Sequence, residues 1–258
     1  MIPNFWIEFC ILFLASIVGA AAVVPYSLRL LRSSAQKKPL RMSIPMLALL
    51  SVVQTTVLCG IAIAAGLLAA HMVGLGAPYI EAILAGASLP SGIGLEIGII
   101  FGVLAGAILL IADLFFLPYW PQPILDATKS TTTLENFLAS LYGGINEELL
   151  MRLFGFSVLV WLLSFVWQPN PLIFWSINVV MAIVFGIGHL PALKSLVGKV
   201  SHVMLLRTLL LNAPVGLICG WLFWTYGIEA AIVAHFSADI VYHVFGTVVL
   251  RRKLGVTN

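Results

Sequence analysis

Long apolar runs separated by short polar or basic stretches dominate the chain. Seven of them, roughly 5–28, 44–73, 94–119, 134–167, 171–190, 202–225 and 228–250, meet or exceed the roughly 20 residues a helix needs to cross a bilayer. The pattern predicts an all-α fold, a polytopic transmembrane bundle of about seven spanning helices. The fourth run is longer than one crossing requires. It opens on TTTLENF, where Thr132 stands at a capping position and Glu135 three residues on, the signature of a helix start. Its first turns are free to lie along the interface. QPNP at 168–171 ends that helix and starts the next. The stretch 74–93, rich in Gly, Ala and Ser, reads equally as a loop, an interfacial helix or part of a kinked span.

Composition supports the membrane reading. Of the 258 residues 61% are hydrophobic and only 9% charged, against about 25% charged in a soluble domain. The bilayer is the expected partner, and nucleic acid is not. Cys10, Cys59 and Cys219 lie in apolar stretches without a shared spacing motif, so neither a disulfide framework nor a cysteine metal site is expected. The first run is too long for a cleaved signal peptide and is expected to remain as an anchor. The whole chain, 1–258, reads as one integral membrane domain. Its N-terminal helices occupy 1–120 and a second, chemistry-bearing part occupies 133–250.

The basic residues orient the bundle. Arg29, Arg32, Lys37, Lys38 and Arg41 follow the first run, Lys129 the third, Lys194 and Lys199 the fifth, and Arg251, Arg252 and Lys253 the seventh. With seven crossings all of these fall on one side. The positive-inside rule then predicts an outside N-terminus and a cytoplasmic C-terminus, as in a multi-pass protein of the cell membrane.

Within the runs, charge needs a reason. Each charged residue near the bilayer centre costs about 2.5–3.5 kcal/mol on insertion scales. The stretch GGINEELLMRLFG, 143–155, holds three. Glu148 and Arg152 are four apart, share a helix face and form an expected ion pair. Glu147 points about 100° away on an α-helix and needs another partner. His189 ends the fifth run, and His235 and Asp239 lie one turn apart in the seventh, with His243 a turn further. A carboxylate on one helix and these groups on two others converge only inside a bundle. Glu with His is a water-activating pair. His with Glu or Asp is also the ligand set of a catalytic zinc, so a divalent metal held by Glu147, His189, His235 and Asp239 is an expectation to test. The run boundaries put His189 and His235 at different depths, so one site requires tilted or staggered helices. Glu8, Glu96 and Asp113 stand isolated in their runs, Arg207 sits where it can snorkel to the interface, and Glu229 suits the start of its own helix.

Glu147-Glu148-x-x-x-Arg152, then Phe185-x-x-x-His189, then His235-x-x-x-Asp239, resembles the three ordered motifs of the CAAX-protease and bacteriocin-processing (CPBP) family, the type II CAAX prenyl endopeptidases or abortive-infection family. The likeness covers 135–243, and GLICGWLFWTYGIEAAIVAHF resembles the Gly-rich approach to the last motif. The resemblance implies an intramembrane endopeptidase acting on a peptide or prenylated-protein substrate. Glu147 and His189 would activate the attacking water, His235 and Asp239 would sit opposite, at the oxyanion or on a metal, and Glu148 and Arg152 would brace them. The family's prenyl endopeptidases often carry Asn at the last motif position, whereas this chain has Asp239. An ionised carboxylate cannot donate a hydrogen bond as an amide does. Two other classes compete: a non-enzymatic protease-like scaffold or immunity factor that keeps the polar cluster for packing, and a proton-coupled transporter. The transporter reading predicts repeated halves with broken helices, and no such repeat is visible in the sequence.

Overall fold

The computed structural model describes residues 4–35, 42–90 and 93–255, and the side chains of all of these but 31–35. Every regular element among the described residues is helical. In chain order these are α1 (Phe5–Ala22), α2 (Val24–Ala35), α3 (Ile44–Met72), α4 (Pro78–Ala85), α5 (Ile93–Phe116), α6 (Gln122–Ser130), α7 (Thr133–Tyr142), α8 (Ser157–Ser164), α9 (Pro171–Gly188), α10 (Leu190–Val197), α11 (His202–Tyr226), α12 (Ile228–Asp239) and α13 (Gly246–Lys253). Among the described residues, six stretches are long and apolar enough to cross a membrane: Phe5–Leu30, Ile44–Met72, Ile93–Tyr119, Pro171–Val197, His202–Tyr226 and Ile228–Lys253. The expected fourth crossing, 134–167, is not among these six. It forms one rod, 133–164, that carries Glu135, Glu147, Glu148 and Arg152 and changes its winding midway.

That rod runs through the core. Leu149, Leu153, Phe156 and Val160 are fully buried and share a cluster with Cys59, Ile63 and Leu67 of α3 and with Leu222 and Phe223 of α11. Apolar side chains also cover the outside. On α3 alone Val57, Ile61 and Leu68 are exposed. In water such surface would drive association; against acyl chains it costs nothing, and this marks an integral multi-pass membrane protein.

Two packing features set the site. Gly98, Gly102 and Gly106 recur every four residues on α5 and lie against the backbone carbonyls of Ala230, Ala234 and Ala238 on α12. A Cβ on Gly98 would stand 2.8 Å from the Ala230 oxygen, and one on Gly106 2.5 Å from the Ala238 oxygen, so only glycine permits this approach. The ambiguous stretch 74–93 contains α4, and its residues 91–92 lie outside the described residues. The segment covers the start of α12: Ile228 N–H donates to the Gly76 carbonyl at 3.1 Å. Glu229 Oε1 accepts from the Tyr79 and Ile80 amides, each at 3.0 Å. Glu229 thus stands in the first turn of its own helix, as expected, and also satisfies open N–H groups of α4.

The Thr132–Glu135 capping box forms as the sequence predicts, with Glu135 N donating to Thr132 Oγ1 at 3.1 Å and Thr132 N to Glu135 Oε2 at 2.7 Å. Glu135 also holds Arg29 of α2 at 2.7 Å. Arg251 of α13 donates to the Thr128 carbonyl of α6 at 2.9 Å. These bonds gather α2, α6, α7 and α13 at one end of the bundle. Lys37, Lys38 and Arg41 lie outside the described residues, and so does the Arg32 side chain.

Candidate active site

The two glutamates sit where the rod 133–164 departs from α geometry. Residues Gly143–Glu147 and Leu149–Phe156 are π-wound, with only Glu148 between them, and the α form resumes at Ser157. In a π turn each amide reaches the carbonyl five residues back, which widens the helix, and such turns are frequent at functional sites. The α-helical angle used to separate Glu147 from Glu148 therefore does not apply, yet the two carboxylates still take different surroundings. A second π stretch, Ile240–Phe245, follows Asp239 directly.

Glu148 is fully buried. Its Oε1 accepts from Arg152 Nη1 at 2.7 Å and from His235 Nδ1 at 2.6 Å. Arg152, also buried, donates through Nη2 to the Gly216 carbonyl at 3.0 Å, and its guanidinium lies 4.9 Å from the centroid of the Phe185 ring. The expected ion pair is present. The sequence did not foretell that the same oxygen also fixes the His235 ring.

Glu147 is less enclosed. Its Oε2 lies 3.9 Å from His189 Nε2 and 3.9 Å from His235 Nε2. His189 directs its Nδ1 to the Phe185 carbonyl at 2.8 Å, one turn back on α9. Each imidazole thus uses Nδ1 on a fixed acceptor and turns Nε2 towards Glu147. Asp239 Oδ1 stands 3.8 Å from His235 Nε2 and 3.7 Å from His243 Nε2. The structure therefore brings Glu147, His189, His235 and Asp239 to one place, with the half-exposed His243 at its edge.

These groups line a cavity of about 540 Å³ inside the bundle, walled by α2, α5, α6, α7, α9, α10, α11, α12 and α13. The wall is thin at Gly143, where a Cβ would stand 2.6 Å from Asp239 Oδ2 and 3.3 Å from His235 Nε2. The glycine of GGINEE is what lets the first glutamate helix touch the last motif.

Three features escaped the sequence reading. Asp113 is not isolated, and Arg207 does not snorkel outward. Arg207 Nε and Nη2 reach Asp113 Oδ1 and Oδ2 at 2.6 and 2.8 Å, and Tyr242 donates to Asp113 Oδ2 at 2.6 Å. No spacing rule pairs residues 94 positions apart, so the sequence carried no signal for this pair. The α5 glycine stripe was legible as a four-residue repeat, 94–98–102–106. Third, Cys219 joins Glu148 and His235 in a buried group of potential ligand atoms. That group is poorly suited to a cation, because Arg152 already holds the Glu148 carboxylate.

Residues 129–241 match the family model described as Type II CAAX prenyl endopeptidase Rce1-like. This segment is similar to the Rce1-like family. The matched residues include Glu147, Glu148, Arg152, His189, His235 and Asp239, whereas His243 lies just beyond them. The matched segment coincides with the part of the fold that builds the cavity's polar wall, and the similarity makes a peptidase the activity to test. Neither the curated proteins nor the solved structures contain a match to the chain.

Proposed function

We propose that this protein is an intramembrane endopeptidase of the CAAX type, hydrolysing a peptide bond with a water activated by Glu147 and His189. The observation that carries the reading is the position of Glu147 Oε2, 3.9 Å from the Nε2 atoms of both His189 and His235. That separation is too long for a direct hydrogen bond and suits a bridge: one water about 2.8 Å from each atom spans it. Glu147 takes a proton from the water as its oxygen adds to the scissile carbonyl. His235, on the far side of Glu147, faces the oxygen that becomes negative. When the C–N bond breaks, the departing amine takes the proton back, and the products are a carboxylic acid and an amine. Glu148 and Arg152 hold the His235 ring in place and are positioning residues. Enclosure in the bundle limits the site to few waters and strengthens its electrostatics.

Asp239 serves this reading in one of two ways. It orients His235 through a bridging water, or it joins a metal-binding set. The donors suit a divalent ion such as zinc in kind: two Nε2 atoms whose Nδ1 atoms are anchored, as metal-bound imidazoles commonly are, and two carboxylates. Their separations of 3.8–3.9 Å exceed the roughly 3.3 Å between neighbouring ligands of tetrahedral zinc, so the set must contract to bind one. His189, His235, Glu147 and Asp239 would hold such an ion, which when bound supplies Lewis-acid polarisation of the carbonyl.

The rod 133–164 is assigned here to a seventh crossing. At about 1.5 Å per residue it exceeds the roughly 30 Å hydrocarbon core. With seven crossings the N-terminus lies outside and the C-terminus in the cytoplasm, and the basic groups near Glu135 and Thr128 support that orientation.

Cleavage of prenylated CAAX-type peptides and of a panel of transmembrane peptides in detergent, followed by mass spectrometry, tests the activity. The native protein is expected to cleave, and Glu147→Gln to lose cleavage while keeping its thermal stability. A cleaving Glu147→Gln protein would remove the assignment. Loss of activity with chelator, restored by zinc, would assign the metal; indifference to chelator would leave Asp239 as an orienting group.

A further inference from the structure

The cavity that holds Glu147 carries a second polar group that the hydrolysis does not use. Arg207 of α11 and Tyr242 of the π stretch after Asp239 both line it. Asp113 stands behind them on α5, fully buried. Arg207 is the only lysine or arginine among the described residues that line this cavity.

A latch between α5, α11 and α12 needs the ion pair alone, sealed on both sides. Here only Asp113 is sealed. The Arg207 side chain keeps 13% of its surface exposed. A guanidinium has five N–H donors. Three are engaged: Nε and one Nη2 hydrogen on Asp113, the other Nη2 hydrogen on Tyr242 Oη at 3.2 Å. Nη1 makes no hydrogen bond to any described residue. The Trp120 ring packs 4.9 Å from the guanidinium carbon and fixes its plane. The result is a preorganised cation with two unused donors, in a cavity whose other formal charges are carboxylates and imidazoles. The cavity, at about 540 Å³, is within the size range that encloses a ligand of a few residues. Tyr242 lies three positions after Asp239, so the cation and the Glu147 site share one wall.

We propose that Arg207 binds the free C-terminal carboxylate of the peptide substrate, so that the site selects chain ends rather than internal segments. This inference rests on the peptidase reading. Asp113 and Tyr242 aim the guanidinium. The carboxylate supplies the acceptor that the Nη1 hydrogens otherwise lack, in a charge-assisted hydrogen bond.

The test compares one prenylated peptide in two forms, ending in a carboxylate and in a carboxamide. The native protein is expected to favour the acid by about 10- to 100-fold in kcat/KM, mainly through KM, the range of a hydrogen bond to a charged group. Arg207→Gln brings the ratio close to one, and Arg207→Lys, which keeps the charge but loses the planar fork, retains part of it. Because Arg207→Gln strands Asp113, the double variant Asp113→Asn/Arg207→Gln is run beside it, and the same loss of discrimination is expected. Affinity of both peptides for the Glu147→Gln protein gives a readout independent of turnover. Equal handling of acid and amide by the native protein overturns the proposal and leaves the peptidase reading standing. So does a preference for the acid that survives in both Arg207 variants. If neither peptide is cleaved, the peptidase reading fails, and the relative affinity of the two peptides still decides the role of Arg207.

Discussion

Replacing Arg152 by Met tests the brace beneath the site. Arg152 is buried, bonded to Glu148 at 2.7 Å and to the Gly216 carbonyl at 3.0 Å. Met keeps much of the volume and removes both bonds. It leaves the Glu148 carboxylate, fully buried, without its cation and bonded to His235 Nδ1. Breaking a buried pair by removing one member costs about 3–5 kcal/mol. At about 2–4 °C per kcal/mol, the unfolding midpoint should fall by roughly 6–20 °C. Glu148→Gln should cost a comparable amount, because it strands the guanidinium. The double variant Arg152→Met/Glu148→Gln removes both charges, and its loss should be smaller than the sum of the single losses by about 2 kcal/mol or more, near the upper range for residues in contact. Unfolding of the four purified proteins in one detergent, by intrinsic fluorescence, closes the cycle. Additivity within about 0.5 kcal/mol would show that the pair does not act as a unit and would refute the brace.

Two glycines give further tests. Gly143→Ala should leave the protein folded, at an overpacking cost of about 1–3 kcal/mol, yet cut peptide cleavage by about 100-fold, because its Cβ displaces Asp239 and His235. Cleavage at the native rate would mean that the two motifs need not touch there. Gly102→Leu should reduce the yield of folded protein, since even a Cβ at that position meets Ser237 Cβ at 2.7 Å and forces α12 away from α5. A native-like melting curve for that variant would count against α5 as the support of the last motif.

Much of this was legible because membrane chains obey few rules strictly. Hydrogen-bond demand forces each long apolar run into a helix. The cost of charge in lipid made Glu147, Glu148, Arg152, His189, His235 and Asp239 stand out singly, and the structure brings them together. The capping box at Thr132 is local chemistry and needed no tertiary knowledge. What stayed hidden is either long-range or a departure from the average helix. Arg207 reads as a snorkelling residue near a run's end, because its inward partner Asp113 lies on a helix far away in sequence. Glu229 satisfies another helix's amides, which its own sequence context does not reveal. The π winding of 143–156 leaves no mark in hydropathy, since it changes the turn and not the residues.

That winding has a consequence for how the chain tolerates length changes. A π turn is, in effect, an α-helix that has absorbed an insertion. Deleting one residue within 149–156 would let the helix close up in α register without shortening the apolar run below what a bilayer needs. Because a π turn takes about one residue more than an α turn, the part beyond the deletion would keep its facing relative to Glu147. Val160, fully buried in the shared core, would keep its neighbours there, and what would be lost is the widened turn beside the pair Glu147-Glu148. A membrane helix of acceptable length and composition would remain, its two halves facing the same partners but without the local widening that carries the two glutamates.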